Sequence, residues 1–271
     1  MSLCTLLLMS AVIKPRPMPF MMSVQAWSFN PYSAFESVER AADAGSKFIE
    51  FFPGQTLKPG SKTGMGPGLS DGDLSELRIQ LSKFGVTPVA FGVVGIDADY
   101  EKSKPLFVWA KMMGIKVINT ESTDSIDTIE RLVKEFDIKV GFHNHPKQPN
   151  NPKYVIWDPN YVYNLVKNRD GRIGSCADIG HWVRSGLKPI DALNALHGRI
   201  VSSHLKDLNR FGEGAQDVPF GTGVSDIPAV LAHFDKIGMK GSASVEYEHR
   251  YEANVSYVAQ CIGFVRGIYG R

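Results

Sequence analysis

Cysteine is scarce in this chain: Cys4, Cys176 and Cys261 are all there are in 271 residues. They lie far apart, and no pair has C-x-x-C or zinc-finger spacing, which argues against a disulfide framework. Reduced, buried thiols are the expectation, with Cys176 inside a strand and Cys261 on a helix face. An excess of one charge is also missing. Thirty Lys and Arg stand against 28 Asp and Glu, for a net charge of +2, and neither sign forms a block. The chain therefore carries no electrostatic footprint for nucleic acid or an anionic membrane. No apolar run is long enough to span a bilayer. Residues 3–13 have the length of a signal h-region but no basic segment before them, and Lys14-Pro15-Arg16-Pro17 then rules out regular structure. We read 1–19 as an N-terminal extension, a signal remnant or an expression-derived addition. The expected location is cytoplasmic, or exported or periplasmic if that run is a signal remnant.

What is present is a repeat. Composition is globular, with 43% hydrophobic and 21% charged residues, and the length suits one (β/α)8 barrel of roughly 250 residues. Eight short strand-forming runs fall at 21–29, 47–52, 86–94, 115–120, 138–143, 172–178, 199–204 and 242–246. A helical pattern follows each of them. The fourth helix shows it best, with Ile126, Ile129, Leu132, Val133 and Phe136 at three-and-four spacing. Turns from helix to strand are short and marked by glycine, as at Gly45, Gly85, Gly114, Gly198 and Gly238. Loops from strand to helix are long at 53–69, 146–159 and 208–225. Long loops on one face of a barrel build and cover an active site. No Gly-rich phosphate loop follows the first strand, which favours a closed barrel over an open doubly wound sheet. The expectation is an α/β protein with a TIM-barrel fold, a single domain over 20–271.

Four of the later strands stop on metal-binding residue types. They are Gly141-Phe142-His143-Asn144-His145, Cys176-Ala177-Asp178-Ile179-Gly180-His181, Ser203-His204-Leu205-Lys206-Asp207 and Val245-Glu246-Tyr247-Glu248. In a closed parallel barrel these ends converge on one mouth. A carboxylate such as Glu246 is costly to bury alone, and a divalent cation removes that cost. The expected ligands are Asp178, His204 and Glu246, with His143 as the fourth and Glu121 as its alternative. A mixed N/O set suits Mn²⁺, Zn²⁺, Co²⁺ or Fe²⁺ better than calcium. Such an ion acidifies the hydrogen beside a sugar carbonyl by stabilising an enediolate, and a carboxylate or imidazole, here Glu246 or His143, moves the proton. Lys206 reads as a grip on a substrate oxygen or as a loop salt bridge. Glu50, His145 and Arg184 are further candidate substrate contacts, and Trp27, Trp182, Phe51 and Phe52 are candidates for packing on a sugar face.

At these residues the chain resembles the sugar phosphate isomerase/epimerase superfamily, the xylose isomerase-like TIM barrels. That group includes inosose isomerases and dehydratases, ketose 3-epimerases and endonuclease IV. The most specific stretches are Ala177 to Gly186, Ser203 to Asp207, Pro219-Phe220-Gly221-Thr222-Gly223 and Ser244 to Glu248. The resemblance implies a metal held by Glu, Asp, His and Glu from strands five to eight, and Asp178, His204 and Glu246 match the last three. His143 stands where the first glutamate belongs, so a symmetric two-glutamate proton transfer is not expected. The resemblance makes His181 a substrate-oxygen contact, and a homo-oligomer is expected on the same ground.

The function this implies is a divalent-metal-dependent isomerase or epimerase of a small keto- or aldo-sugar. Alternatives are a lyase or hydratase on a 3-keto-glycoside or inosose, a non-catalytic sugar-binding barrel, and an abasic-site endonuclease. The last is disfavoured because its Asp-x-His pair reads Asp217-Val218-Pro219 here.

Overall fold

Strands of four to six residues, each sending alternate side chains inward, close on themselves in this protein. The computed structural model describes residues 15–270. Barrel strands are β1 (Met21–Gln25), β2 (Phe48–Phe51), β3 (Thr87–Phe91), β4 (Val117–Thr120), β5 (Lys139–His143), β6 (Ile173–Asp178), β7 (Ile200–Leu205) and β8 (Ser242–Val245). Every pair is parallel, each strand lies beside its neighbours in sequence, and β8 returns to β1 with Met21 opposite Ser242. The (β/α)8 barrel is thus the fold. No helix among the described residues is long and apolar enough to cross a membrane.

The outer ring is α1 (Ala34–Asp43), α2 (Asp71–Phe84), α3 (Tyr100–Met113), α4 (Ile126–Phe136), α5 (Pro159–Val166), α6 (Ile179–Arg184), α7 (Pro189–Ala195), α8 (Ile227–Ile237) and α9 (Val255–Ile268). Capping boxes start α1 (Ser33 with Glu36) and α2 (Ser70 with Asp73), so local chemistry sets where those helices begin. The stripe Ile126, Ile129, Leu132 and Val133 on α4 is buried against the sheet, as its spacing predicts.

Three boundaries differ from expectation. The first strand ends at Gln25, because the Gln25 side chain accepts from Trp27 N and turns Ala26–Phe29 into a 3-10 helix. The third strand ends at Phe91 rather than reaching 94. The sixth repeat has an extra helix, α6, which starts directly at the strand end because Asp178 caps it. The proposed extension is only partly separate. Residues 1–14 lie outside the described residues. Arg16, however, donates its amide to Tyr269 O (3.1 Å), pairs with Asp235 (2.5 Å) and covers the Tyr269 ring. Phe20 then packs edge-on against Phe234 and Tyr269 at the bottom of the barrel.

The barrel interior is unusual in being polar. Barrels of this type are ordinarily filled by layers of branched apolar side chains. Here Ser23 of β1 meets Ser244 of β8 (2.7 Å), and Ser244 donates to Glu50 Oε2 of β2 (2.5 Å). Asn119 of β4 donates to Glu50 Oε1 (2.7 Å) and accepts from Ser202 of β7 (2.6 Å). All five residues are fully buried. Gly141 makes room for this chain of bonds: a Cβ there would meet Asn119 Oδ1 and Ser202 Oγ at 2.7 Å each.

Candidate active site

Above this polar interior the strand ends build the mouth. Asp178 closes β6 with its two carboxylate oxygens divided. Oδ1 accepts the His181 amide (2.8 Å) as the α6 cap, while Oδ2 faces the barrel axis. Asn144, just past β5, braces the Asp178 backbone from the side. It accepts from Asp178 N and donates to Asp178 O, both at 3.0 Å. The carboxylate end of β6 is therefore fixed by two neighbouring elements.

His204 of β7 is held from below. Its Nε2 lies 3.0 Å from Glu50 Oε1, which leaves Nδ1 aimed upward, 3.0 Å from Glu246 Oε2 and 3.7 Å from Asp178 Oδ2. A carboxylate behind an imidazole fixes its orientation and the role of each nitrogen. Glu50, expected as a candidate substrate contact, thus sits beneath the site and is not among the residues lining the cavity. It is fully buried, its oxygens are occupied by Asn119, Ser244 and His204, and no water-facing surface remains.

The donor atoms of Asp178, His204 and Glu246 converge, and a second convergent group, His143 with Asp178 and His181, shares Asp178. His143 Nε2 lies 3.4 Å from Asp178 Oδ2. Metal–ligand bonds of about 2.0–2.2 Å place neighbouring ligands roughly 3–3.5 Å apart, close to these separations. Among the described residues, His143 Nε2 and His204 Nδ1 are buried without a hydrogen-bond partner. Buried polar atoms without partners call for an explanation, and two ring nitrogens beside the same Asp178 Oδ2 suit a cation. The buried His/Asp/Glu cluster can hold a metal ion. Glu121, the alternative ligand, is on the far side of His143. It bonds to His145 and to Tyr154 OH (3.0 Å), with His143 Nδ1 at 3.6 Å. Burial works to raise the Glu121 carboxyl, but His143 and His145 hold it down to about 2. With His143 and His145, Glu121 forms a third convergent donor group, beside the one that holds Asp178, His204 and Glu246.

Lys206 departs furthest from the sequence reading. Its side chain is completely buried, and Nζ lies 2.6 Å from Asp178 Oδ2 and 2.5 Å from Glu246 Oε2, with Glu248 at 3.5 Å. The Glu246 contact is an ion pair outside hydrogen-bond geometry. Lys206 thus stands in a buried ion pair with both carboxylates and is not among the residues lining the cavity. Burial disfavours its charge, yet Asp178 and Glu246 keep the ammonium well above its ordinary value. Burial also keeps His181 neutral, well below the ordinary imidazole value, against the pull of Asp178.

The cavity over this cluster has a volume of about 260 Å³. Trp27, Phe52 and Pro53 line it together with His143, His145, His181, His204, Glu246 and Glu248. Trp27 is 39% exposed and stands edge-on to Phe52. Phe51 and Trp182 are core residues instead. Arg184 is outside this cavity, held between Asp217 (2.7 Å) and Glu248 (2.5 Å). Asp207, the last residue of the Ser203-to-Asp207 stretch, organises the long loop after β7. It accepts amides from Gly221 (2.8 Å), Gly223 (3.0 Å) and Ser225 (3.0 Å).

The fold has relatives. The model of the xylose isomerase-like TIM barrel family matches residues 38–266. No curated protein sequence matches the chain. Among solved structures, an uncharacterized protein from Parabacteroides distasonis is similar at 27% identity and TM-score 0.71, covering 92% of this chain and 99% of that one. A D-tagatose 3-epimerase-like protein is similar at 17% identity and TM-score 0.69, covering 92% and 96%. The IOLI protein, solved with a zinc atom, is similar at 18% identity and TM-score 0.66, covering 92% and 98%. With most of its length matched by that one family model, and with the closed parallel barrel the description requires, the chain belongs to the xylose isomerase-like TIM barrel family.

Proposed function

We propose that the protein is a divalent-metal-dependent isomerase or epimerase of a small keto- or aldo-sugar. The observation that carries this reading is the convergence of Asp178, His204 and Glu246, with His204 and Glu246 lining a cavity that Trp27 and Phe52 also line. His143 is the fourth ligand in this reading, placed by its Nε2 beside Asp178 Oδ2. Mn²⁺, Zn²⁺, Co²⁺ and Fe²⁺ all suit such donors, and the IOLI protein was solved with zinc. When bound, the ion would stabilise negative charge on a carbonyl oxygen and the neighbouring hydroxyl oxygen, and so acidify the hydrogen on the carbon that bears the hydroxyl.

The chain's own residues do the rest. Glu246 takes a proton from the sugar carbon and returns it, since it lines the cavity and is kept ionised. Burial favours its neutral form, but Lys206 and His204 hold it well below the ordinary carboxylate range. His181 and His145 contact sugar oxygens on one side, while the faces of Trp27 and Phe52 take the apolar side of the ring.

One observation favours lyase chemistry as a second reading. The groups lining the cavity include imidazoles, His145 and His181, as well as the carboxylates Glu246 and Glu248. Unlike groups suit proton removal at one atom and protonation of a departing group at the next.

The test is solvent deuterium exchange into a panel of keto- and aldo-sugars with Mn²⁺ present. Glu246→Gln should lower exchange by about a thousandfold or more with the fold retained by circular dichroism. Wild-type exchange in that variant would overturn the assignment. Recovery of the isomeric sugar supports the first reading, and loss of a β-substituent supports the second.

A further inference from the structure

Lys206 places a fixed positive charge where a metal would also bind. Its ammonium shares the same two oxygens, Asp178 Oδ2 and Glu246 Oε2, that face His204 Nδ1. An ion bonded to both oxygens at about 2.1 Å would have the ammonium roughly 3 Å away. Two cations that close in a buried site repel strongly. The lysine also has a prepared path. Gly180, on α6, lies against its stem, and a Cβ there would meet Lys206 Cβ at 2.5 Å and Cδ at 2.7 Å. Lys206 ranks among the largest fully buried side chains.

We propose that Lys206 is a built-in competitor for the metal, a resident cation that holds Asp178 and Glu246 together without an ion and weakens the ion's affinity. The inference rests on the metal-site reading above. Its consequence is an exchangeable metal and a protein that keeps its site assembled when metal-free. Burying Asp178 and Glu246 without a counter-charge would otherwise be strongly unfavourable.

The test is titration calorimetry of chelator-stripped protein with MnCl₂ and with ZnCl₂, comparing wild type, Lys206→Met and Lys206→Gln. Both variants should bind at least about tenfold more tightly than wild type. Their thermal midpoints should fall below wild type without metal and recover in excess Mn²⁺, while the wild-type midpoint moves less. If Lys206→Met does not fold when stripped, Lys206→Gln and the midpoints in Mn²⁺ carry the comparison. Metal binding by wild type with equal or weaker affinity in the folded variants overturns the competitor role and leaves the metal site standing. Absence of binding in wild type and in both variants overturns the metal reading itself.

Discussion

Glu50 carries the site without touching its cavity. It accepts from Asn119 and Ser244 and backs His204, so its removal strands three buried polar groups at once. Glu50→Ala should cost about 3–5 kcal/mol in urea unfolding. A loss near zero would mean that the interior network is not a source of stability. Trp27 is the opposite case, an exposed ring on the cavity wall. Trp27→Ala should leave stability within about 0.5 kcal/mol, as for most surface changes. It should raise KM for the sugar about tenfold with kcat little changed, if stacking on the ring supplies binding worth about 1.4 kcal/mol. A fall in kcat with KM unchanged would assign the ring another role. Much of this residue-level picture was legible: Asp178, His204 and Glu246 stand at strand ends and converge as expected. The placement of Lys206 was legible too, had alternation been followed past the strand. Residues 204 and 206 share one face at a period of two, and His204 faces inward. The polar interior was missed because Ser23, Ser202 and Ser244 are small and read as neutral strand filler. Only their common inward parity marks them.

At the level of elements, the loop after β7 depends on one carboxylate. Asp207 takes three loop amides, so Asp207→Ala should cost about 2–3 kcal/mol and make the 208–225 backbone exchange its amides with deuterium faster. Unchanged exchange would place the loop's order elsewhere. The entry to β6 offers a pH test away from the site. Arg172 Nε and Nη2 grip Asp170 at 2.8 and 2.9 Å, and the Arg172 side chain above all holds the Asp170 carboxyl well below its ordinary value of 3.8. A lowered folded value stabilises the protein above the unfolded value, and that gain is lost as pH falls through the folded one. Asp170→Asn should therefore cost about 1 kcal/mol at pH 7, with the difference from wild type shrinking below about pH 4. A constant difference down to pH 2 would show that the charge is immaterial. Sequence reading found the helices with a periodic stripe, such as α4, but not α6. Ile-Gly-His-Trp-Val-Arg is too short to show a period, and its start is set by a cap that is also a strand's last residue.

For the whole molecule, eight strands separated by helices made the closed barrel readable, and the chain's bulk charge and cysteine usage were ordinary for it. The bottom of the barrel was less readable, because the 15–20 segment has no regular pattern and is held by contacts with residues far along the chain. Phe20, 6% exposed between Phe234 and Tyr269, tests how much that plug matters. Phe20→Ala should lower stability by about 3–5 kcal/mol, read from the denaturation midpoint, and a shift under 1 kcal/mol would show that the base of the barrel collapses to fill the gap.

Closure of β1 on β8 also governs the protein's manufacture. Ser23 must wait for Ser244, 221 positions later, before its strand has both partners. A ribosome adding about 5–20 residues per second leaves that edge open for roughly ten seconds or more. Throughout that interval the nascent chain carries an unsealed seam, and a crowded translation system is where this barrel is most open to pairing with the wrong strand.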